Sequence, residues 1–420
     1  MSQGHTDLLA TNTCMKAVTT ILFTILSFSG FAQPSLVEGI NEFSLEYYKT
    51  TVDDSSNYFI SPFGLHLALG LVNEGANSTT KTELGTLLNI DGIPDIKLKY
   101  KALMDKVVNK EDSIYLECLR WSPDKKAGKN ELYIANSFWV NDRIPVNDVF
   151  KASANNYFNS TIEAFTTDNL DRANQRLSEL ISEQTRGHIA DISPVDETTE
   201  VSLVNAVYFH GEWDTPFKRK QTKERKFYSI NGGTSKIGYL RATRPYRYYE
   251  DDQIKSIQIP YSCDQFSFLA FLPHERHGFQ ELEQMVTYEY LKAIVDSSIT
   301  KQVILSLPKL EIETETFPKS SLAGLGCEKM FTDEADFSRL SDKPMKIGSI
   351  THKTRITLDE KTTKAAAATK VDMIVTGYAG GGDPATPPAP KIFNADHPFF
   401  FCIIDNRTSA IVFVGRFAQE

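Results

Sequence analysis

The sequence predicts an α+β domain, and three observations carry that prediction. Apolar residues recur at helical spacing in its first half, short apolar runs of strand length fill its second, and the last two runs are almost continuously apolar. Leu36, Ile40, Phe43 and Tyr47 mark an amphipathic helix packed on one face. Ser61-Pro62 reads as the start of another, because serine caps first-turn amides and proline has no N–H to lose there. Leu65, Ala68, Leu69 and Val72 supply its apolar stripe. A further helix is predicted over 170–185, with Ala173, Leu177, Leu180 and Ile181 on one face and Gly187 placed to end it. Strands are predicted over 201–209, 257–259, 266–271, 303–312, 399–404 and 411–414, with a turn at 405–408 joining the last two. The apolar continuity of that last pair implies burial on both faces. No internal repeat is present.

The chain of 420 residues is 41% hydrophobic and 24% charged, enough for one large core or two domains. Its net charge of −9, from 45 basic and 54 acidic residues, argues against a nucleic-acid partner held by global positive charge. Lys16 precedes the apolar run 17–28, followed by small residues up to Ala32, which is the pattern of a secretory leader. Residues 1–32 are therefore expected to be removed, with Met15 an alternative start, leaving a mature domain over 33–420 that is secreted to a periplasm or outside. A buried helix of a cytosolic protein is the alternative reading of that run. Cys14 would go with the leader. Cys118, Cys263, Cys327 and Cys402 show no metal-ligand spacing and are expected to be structural thiols rather than disulfides. No cofactor is expected, nor a membrane partner once the leader is gone.

Three other constellations are read as surface. His274-Glu275-Arg276-His277 lacks zinc-helix spacing and follows Leu272-Pro273, so it reads as a solvated turn. Lys218, Arg219, Lys220, Lys223, Arg225 and Lys226 surround Glu224 and read as a solvated face, with polyanion binding the alternative. Gly380-Gly381-Gly382 and Pro387-Pro388 read as a flexible tether rather than an anion cradle. No nucleophile elbow, zinc motif or phosphate loop suggests an enzyme.

The stretch after Asp359 is different. Placed in a strand, Thr363, Ala365, Ala367, Thr369, Val371 and Met373 share one face, while Lys364, Ala366, Ala368, Lys370 and Asp372 share the other. Small or apolar groups could enter a core while charges stay wet. Alanine also favours a surface helix, so taken alone the segment fits helix or loop as well.

Five blocks in fixed order resemble the serpin family: Phe59-Ile-Ser-Pro-Phe63, Asn205-Ala-Val-Tyr-Phe-His-Gly-Glu-Trp213, Leu307-Pro-Lys309, Asp359-Glu360 with its alanine run, and Asp396-His-Pro-Phe-Phe400. The resemblance extends from about Leu36 to Phe417. It implies one domain with three β-sheets, about nine helices and an exposed reactive centre loop over about 360–393. It also implies an irreversible, suicide-substrate protease inhibitor acting as a monomer; a non-inhibitory binding or carrier serpin is the alternative. Residue by residue, it makes Glu360, Lys361, Thr362, Thr363, Lys364, Ala365, Ala366, Ala367, Ala368 and Thr369 the hinge. Trp213, Lys309 and Glu360 match the residues where the central sheet opens, and Ser61, Asn205 and His352 match a polar cluster beneath it. Family spacing puts the scissile bond at Thr376-Gly377, with Val375 and Tyr378 as alternatives. Small and aliphatic residues there suit elastase-like, subtilisin-like or papain-like proteases, and cleavage after Tyr378 would suit a chymotrypsin-like one. Three positions depart from the family pattern: Thr362 where glycine is usual, Lys364 where the residue is usually acidic or neutral, and Gly64 where a serine usually joins the polar cluster. Thr362 is expected to slow loop insertion, since glycine eases the first fold-in.

Overall fold

In the computed structural model, residues 35–52, 56–108, 116, 118, 120, 128–197, 199–360 and 388–419 are described. Nine α-helices occur among them: α1 (Leu36–Thr51), α2 (Pro62–Gly75), α3 (Ser78–Leu87), α4 (Ile96–Val107), α5 (Asp148–Phe158), α6 (Leu170–Gln184), α7 (Phe279–Met285), α8 (Tyr288–Ser297) and α9 (Lys319–Gly324). The helical periodicity reads true in each helix it predicted. Leu36, Ile40, Phe43 and Tyr47 are all buried in α1, and Ala173, Leu177, Leu180 and Ile181 are the buried face of α6. Gly187 lies just past α6 at φ +80°, where a side chain would be strained, and its N–H closes on the Ser182 carbonyl at 2.7 Å. Ser61 caps α2 by accepting from the Gly64 N–H.

Among the described residues, fourteen strands pair into two hydrogen-bonded networks. A five-stranded sheet has the order β10 (Leu310–Thr316), β11 (Ser349–Leu358), β4 (Val201–His210), β2 (Glu131–Asn141), β3 (Ser160–Phe165). The other network runs β1 (Tyr58–Ile60), β14 (Ile411–Phe417), β13 (Phe399–Asp405), β8 (Phe266–Pro273), β7 (Ile254–Pro260), β6 (Thr234–Glu250), β9 (Ile299–Pro308), β12 (Lys391–Asn394), with β5 (Lys223–Tyr228) on β6. Two of the three expected sheets are thus continuous, because β6 is 17 residues long. Its first six residues pair with β5, Tyr239 to Tyr248 pair with β9, and its last four residues pair with β7. β13 and β14 are buried almost throughout and sit against α1 and α2, forming the centre of the main core.

Two expectations are corrected. The single strand expected over 303–312 is two, β9 and β10, broken at Lys309. Pro308 cannot donate to a ladder, and Lys309 turns its N–H to the Gly238 carbonyl at 2.8 Å as the chain leaves one sheet for the other. Cys118 and Cys263, expected as thiols, form a disulfide across 145 residues of chain. Cys327 and Cys402 are free and buried, and burial pushes both thiols up to about 12.

Candidate functional site

β11 is the strand on which the expected functional residues converge. Alternation along it sends His352 and Thr354 towards α2 and β1, while Lys353 and Arg355 meet the acidic side chains of β10. Lys353 lies 3.0 Å from Glu313 and Arg355 lies 2.8 Å from Glu311. β10 pairs with β11 antiparallel, and β4 pairs with it in parallel over eight residue pairs, Ser349↔Ser202 to Ile356↔Phe209.

His352, Asn205 and Ser61 come together in the middle of this parallel seam. His352 is wholly buried, and burial pushes its imidazole down to about 3, so the ring is neutral. Asn205 Oδ1 accepts from His352 Nδ1 at 2.6 Å, and Asn205 Nδ2 donates to Asn136 Oδ1. The Ser61 N–H donates to His352 Nε2 at 3.1 Å, which fixes the proton on Nδ1. Ser61 Oγ donates to the Val412 carbonyl at 2.9 Å and accepts from the Gly64 N–H at 3.1 Å. Thr354 Oγ1 donates to the Phe59 carbonyl at 2.6 Å. The network thus ties β11 and β4 to the β1–α2 junction and to β14.

Gly64, where the family pattern has serine, has a steric reason in this chain. A Cβ there would lie 2.6 Å from Val207 Cγ2 and 3.0 Å from Asn205 Oδ1, so the network occupies the space a serine would need.

Trp213, Lys309 and Glu360 meet just beyond the end of β11. The Trp213 indole donates to the Asp359 carbonyl at 2.9 Å and stacks on Tyr261 at 4.5 Å, with Phe217 edge-on. Lys309 Nζ lies 2.8 Å from Glu360 Oε2, with Lys309 about 40% exposed and Glu360 about 10%. Burial pushes the Glu360 carboxyl up, but the Lys309 ammonium holds it below its ordinary value. The disulfide half Cys263 lies in the turn that follows Tyr261.

Hinge residues Lys361 to Thr369 and the expected cut at Thr376-Gly377, with its alternatives Val375 and Tyr378, lie outside the described residues. Two partners were not expected from sequence: Asn136 and Tyr261. Asn136 stands in a largely apolar run, but its pairing with Asn205 is set by the register of β2 against β4; Tyr261 had no signal. His274 sits in the turn after β8, its Nε2 2.8 Å from the Asp251 carbonyl, and among the described residues no group of three His, Cys, Asp or Glu could hold a metal.

Residues 38–419 match the family model described as Serpin (serine protease inhibitor). The chain belongs to the serpin family. Among its relatives is an uncharacterized serpin-like protein of Methanosarcina mazei, 28% identical over 387 residues, covering 90% of this chain and 85% of the relative. Serpin B10 of Bos taurus is 29% identical, covering 91% and 99%. The solved structure of a thermophilic serpin, tengpin, in its native state superposes with a TM-score of 0.77 at 27% identity, covering 92% of this serpin and 94% of tengpin. The α+β architecture described above is the serpin fold. Serpins as a family are inhibitors of proteases rather than catalysts, so proteases are the partner class of this one.

Proposed function

We propose that this serpin is secreted, acts as a monomer, and irreversibly inhibits a serine or papain-like cysteine protease that cleaves after small or aliphatic residues. One observation supports this most: β11 runs directly into the hinge sequence at Glu360 and pairs in parallel with β4 over eight positions. A strand folding back from Glu360 runs antiparallel to β11. One side of β11 already carries β10, so the strand must enter between β11 and β4, replacing one parallel ladder by two antiparallel ones.

The protease nucleophile attacks the Thr376 carbonyl, the Gly377 amine leaves, and the acyl-enzyme stays attached to the upstream half of the loop. Insertion of about fourteen residues moves that attachment roughly 45 Å. At roughly 1 kcal/mol for each new ladder hydrogen bond, with burial of the alternating alanine face, insertion is worth on the order of ten kcal/mol. The intact protein is then kinetically trapped. The leader at 1–32 supports secretion.

The test mixes purified protein with elastase-like, subtilisin-like, papain-like and chymotrypsin-like proteases. A covalent complex surviving denaturing electrophoresis, with the cut at 375–378 by mass spectrometry, is the expected result. The carrier reading predicts cleavage without any covalent complex.

A further inference from the structure

We propose that β5, with the turn leading into it, is a cationic docking surface for an acidic face of the target protease beside its active-site cleft; this rests on the protease-directed reading above. Residues 218–226 hold Lys218, Arg219, Lys220, Lys223, Arg225 and Lys226 against the single acid Glu224, in a chain of net charge −9. All six cations are exposed, and among the described residues none of their side chains makes an ion pair or hydrogen bond. Lys226 stands directly opposite Lys236 in the β5–β6 register, and like charges facing each other across a ladder destabilise it.

Stability therefore does not explain the cluster. β5 is an edge strand, and edge charges discourage pairing with a foreign strand. That accounts for charges within β5. It does not account for Lys218, Arg219 and Lys220, which lie in the turn outside the ladder, or for Lys236 on the inner strand.

Position supplies the reason. The first residues of β5 lie beside the entry to the bait segment: Glu224 pairs with Gly238, whose carbonyl accepts the Lys309 N–H at 2.8 Å, and the Lys309 ammonium is 2.8 Å from Glu360. Tyr228, at its other end, donates its N–H to the Asp396 carbonyl at 2.8 Å, just past the strand β12 that follows the bait segment. The cationic strand thus lies beside both anchors of the loop. Its six residues span about 20 Å, whereas a protease domain of about 230 residues has a radius of gyration of about 17 Å. A protease seated on the loop overhangs β5. Charge complementarity there steers the encounter, accelerates it by about tenfold or more at low salt, and fades under screening.

The test compares the full chain with a Lys223→Ser, Arg225→Ser, Lys226→Ser variant, using small-residue-cleaving serine proteases that range from acidic to basic. The readout is the second-order rate constant for loop scission, which counts every cut whether it ends as a covalent complex or as released product. With the most acidic protease the rate is expected to fall about tenfold at about 0.02 M salt and less than about twofold at about 0.5 M. A Lys218→Ser, Arg219→Ser, Lys220→Ser variant moves the same way. Removing Lys151, Arg172 and Lys329 instead, an equal change in net charge, leaves the rate within about twofold. Equal losses with acidic and basic proteases, or no loss with either, overturn the proposal. So does lost retention on immobilised heparin with an unchanged scission rate, which assigns the surface to a polyanion. Scission without a covalent complex would defeat the inhibitor reading while leaving the docking surface intact.

Discussion

His352 and Glu360 lie on one stretch of chain, the first in the middle of β11 and the second just past its end, and they are held by opposite chemistry. His352 is neutral, fully buried and fixed through both ring nitrogens. Glu360 is charged, near the surface, and held by an ammonium that is itself about 40% exposed. Breaking the first leaves buried donors and acceptors unmatched, whereas breaking the second frees an ammonium already partly in water and leaves one largely covered carboxylate at the end of the strand. On the proposed mechanism a sheet built this way opens from the Glu360 end, where release costs less, and the buried network sets the resistance further along.

Acid should test the buried side most strongly. His352 is held at about 3, and His66, enclosed between the Leu88 carbonyl and the Tyr100 hydroxyl, at about 4. Both titrate near 6.5 when unfolded, so the unfolded chain binds more protons below that pH. Their stabilisation is complete above pH 6.5 and is lost as pH falls towards 4 and then 3. At pH 5 the loss is on the order of 4 kcal/mol for the pair, before carboxylates such as Glu360 protonate. Unfolding followed by fluorescence at pH 7.5 and pH 5 measures it.

His352→Leu strands the Ser61 N–H and Asn205 Oδ1, and should cost about 3 kcal/mol, about 4 °C in unfolding temperature for a domain of this size. It should also remove about half of the acid sensitivity, which distinguishes loss of the titrating ring from general damage. Gly64→Ser, although it restores the family's usual residue, should destabilise by about 2 kcal/mol in chemical denaturation, because Val207 and Asn205 occupy the space. Lys309→Met should cost about 1–2 kcal/mol, less than His352→Leu, and the difference should shrink in concentrated salt. A cost there as large as that of His352→Leu would erase the contrast between the two regions.

The sequence made some of this legible and hid the rest for physical reasons. α1, α2 and α6 were readable because a single apolar stripe with recognisable ends needs no tertiary information. β11 was not assigned, because Thr351, His352, Lys353 and Thr354 read as surface yet are buried, with His352, Lys353 and Thr354 held by partners distant in sequence. β6 was obscured by its arginines and Pro245, which its exposed and half-buried stretches tolerate. The Cys118–Cys263 disulfide was misjudged, since a sequence separation of 145 says nothing about proximity. Ser61, Asn205 and His352 were named through family blocks, but Asn136, which completes their hydrogen-bond chain, required the register of β2 against β4.

The central claim is that the segment after Glu360 can become a strand between β11 and β4, and it is tested most directly by the thermal stability of the protein before and after a single cut in that segment. The account predicts that the cut protein, with both fragments retained, unfolds about 10 °C higher or more, as insertion worth on the order of ten kcal/mol requires. An unfolding temperature that stays the same or falls after a verified cut at 375–378 would contradict it.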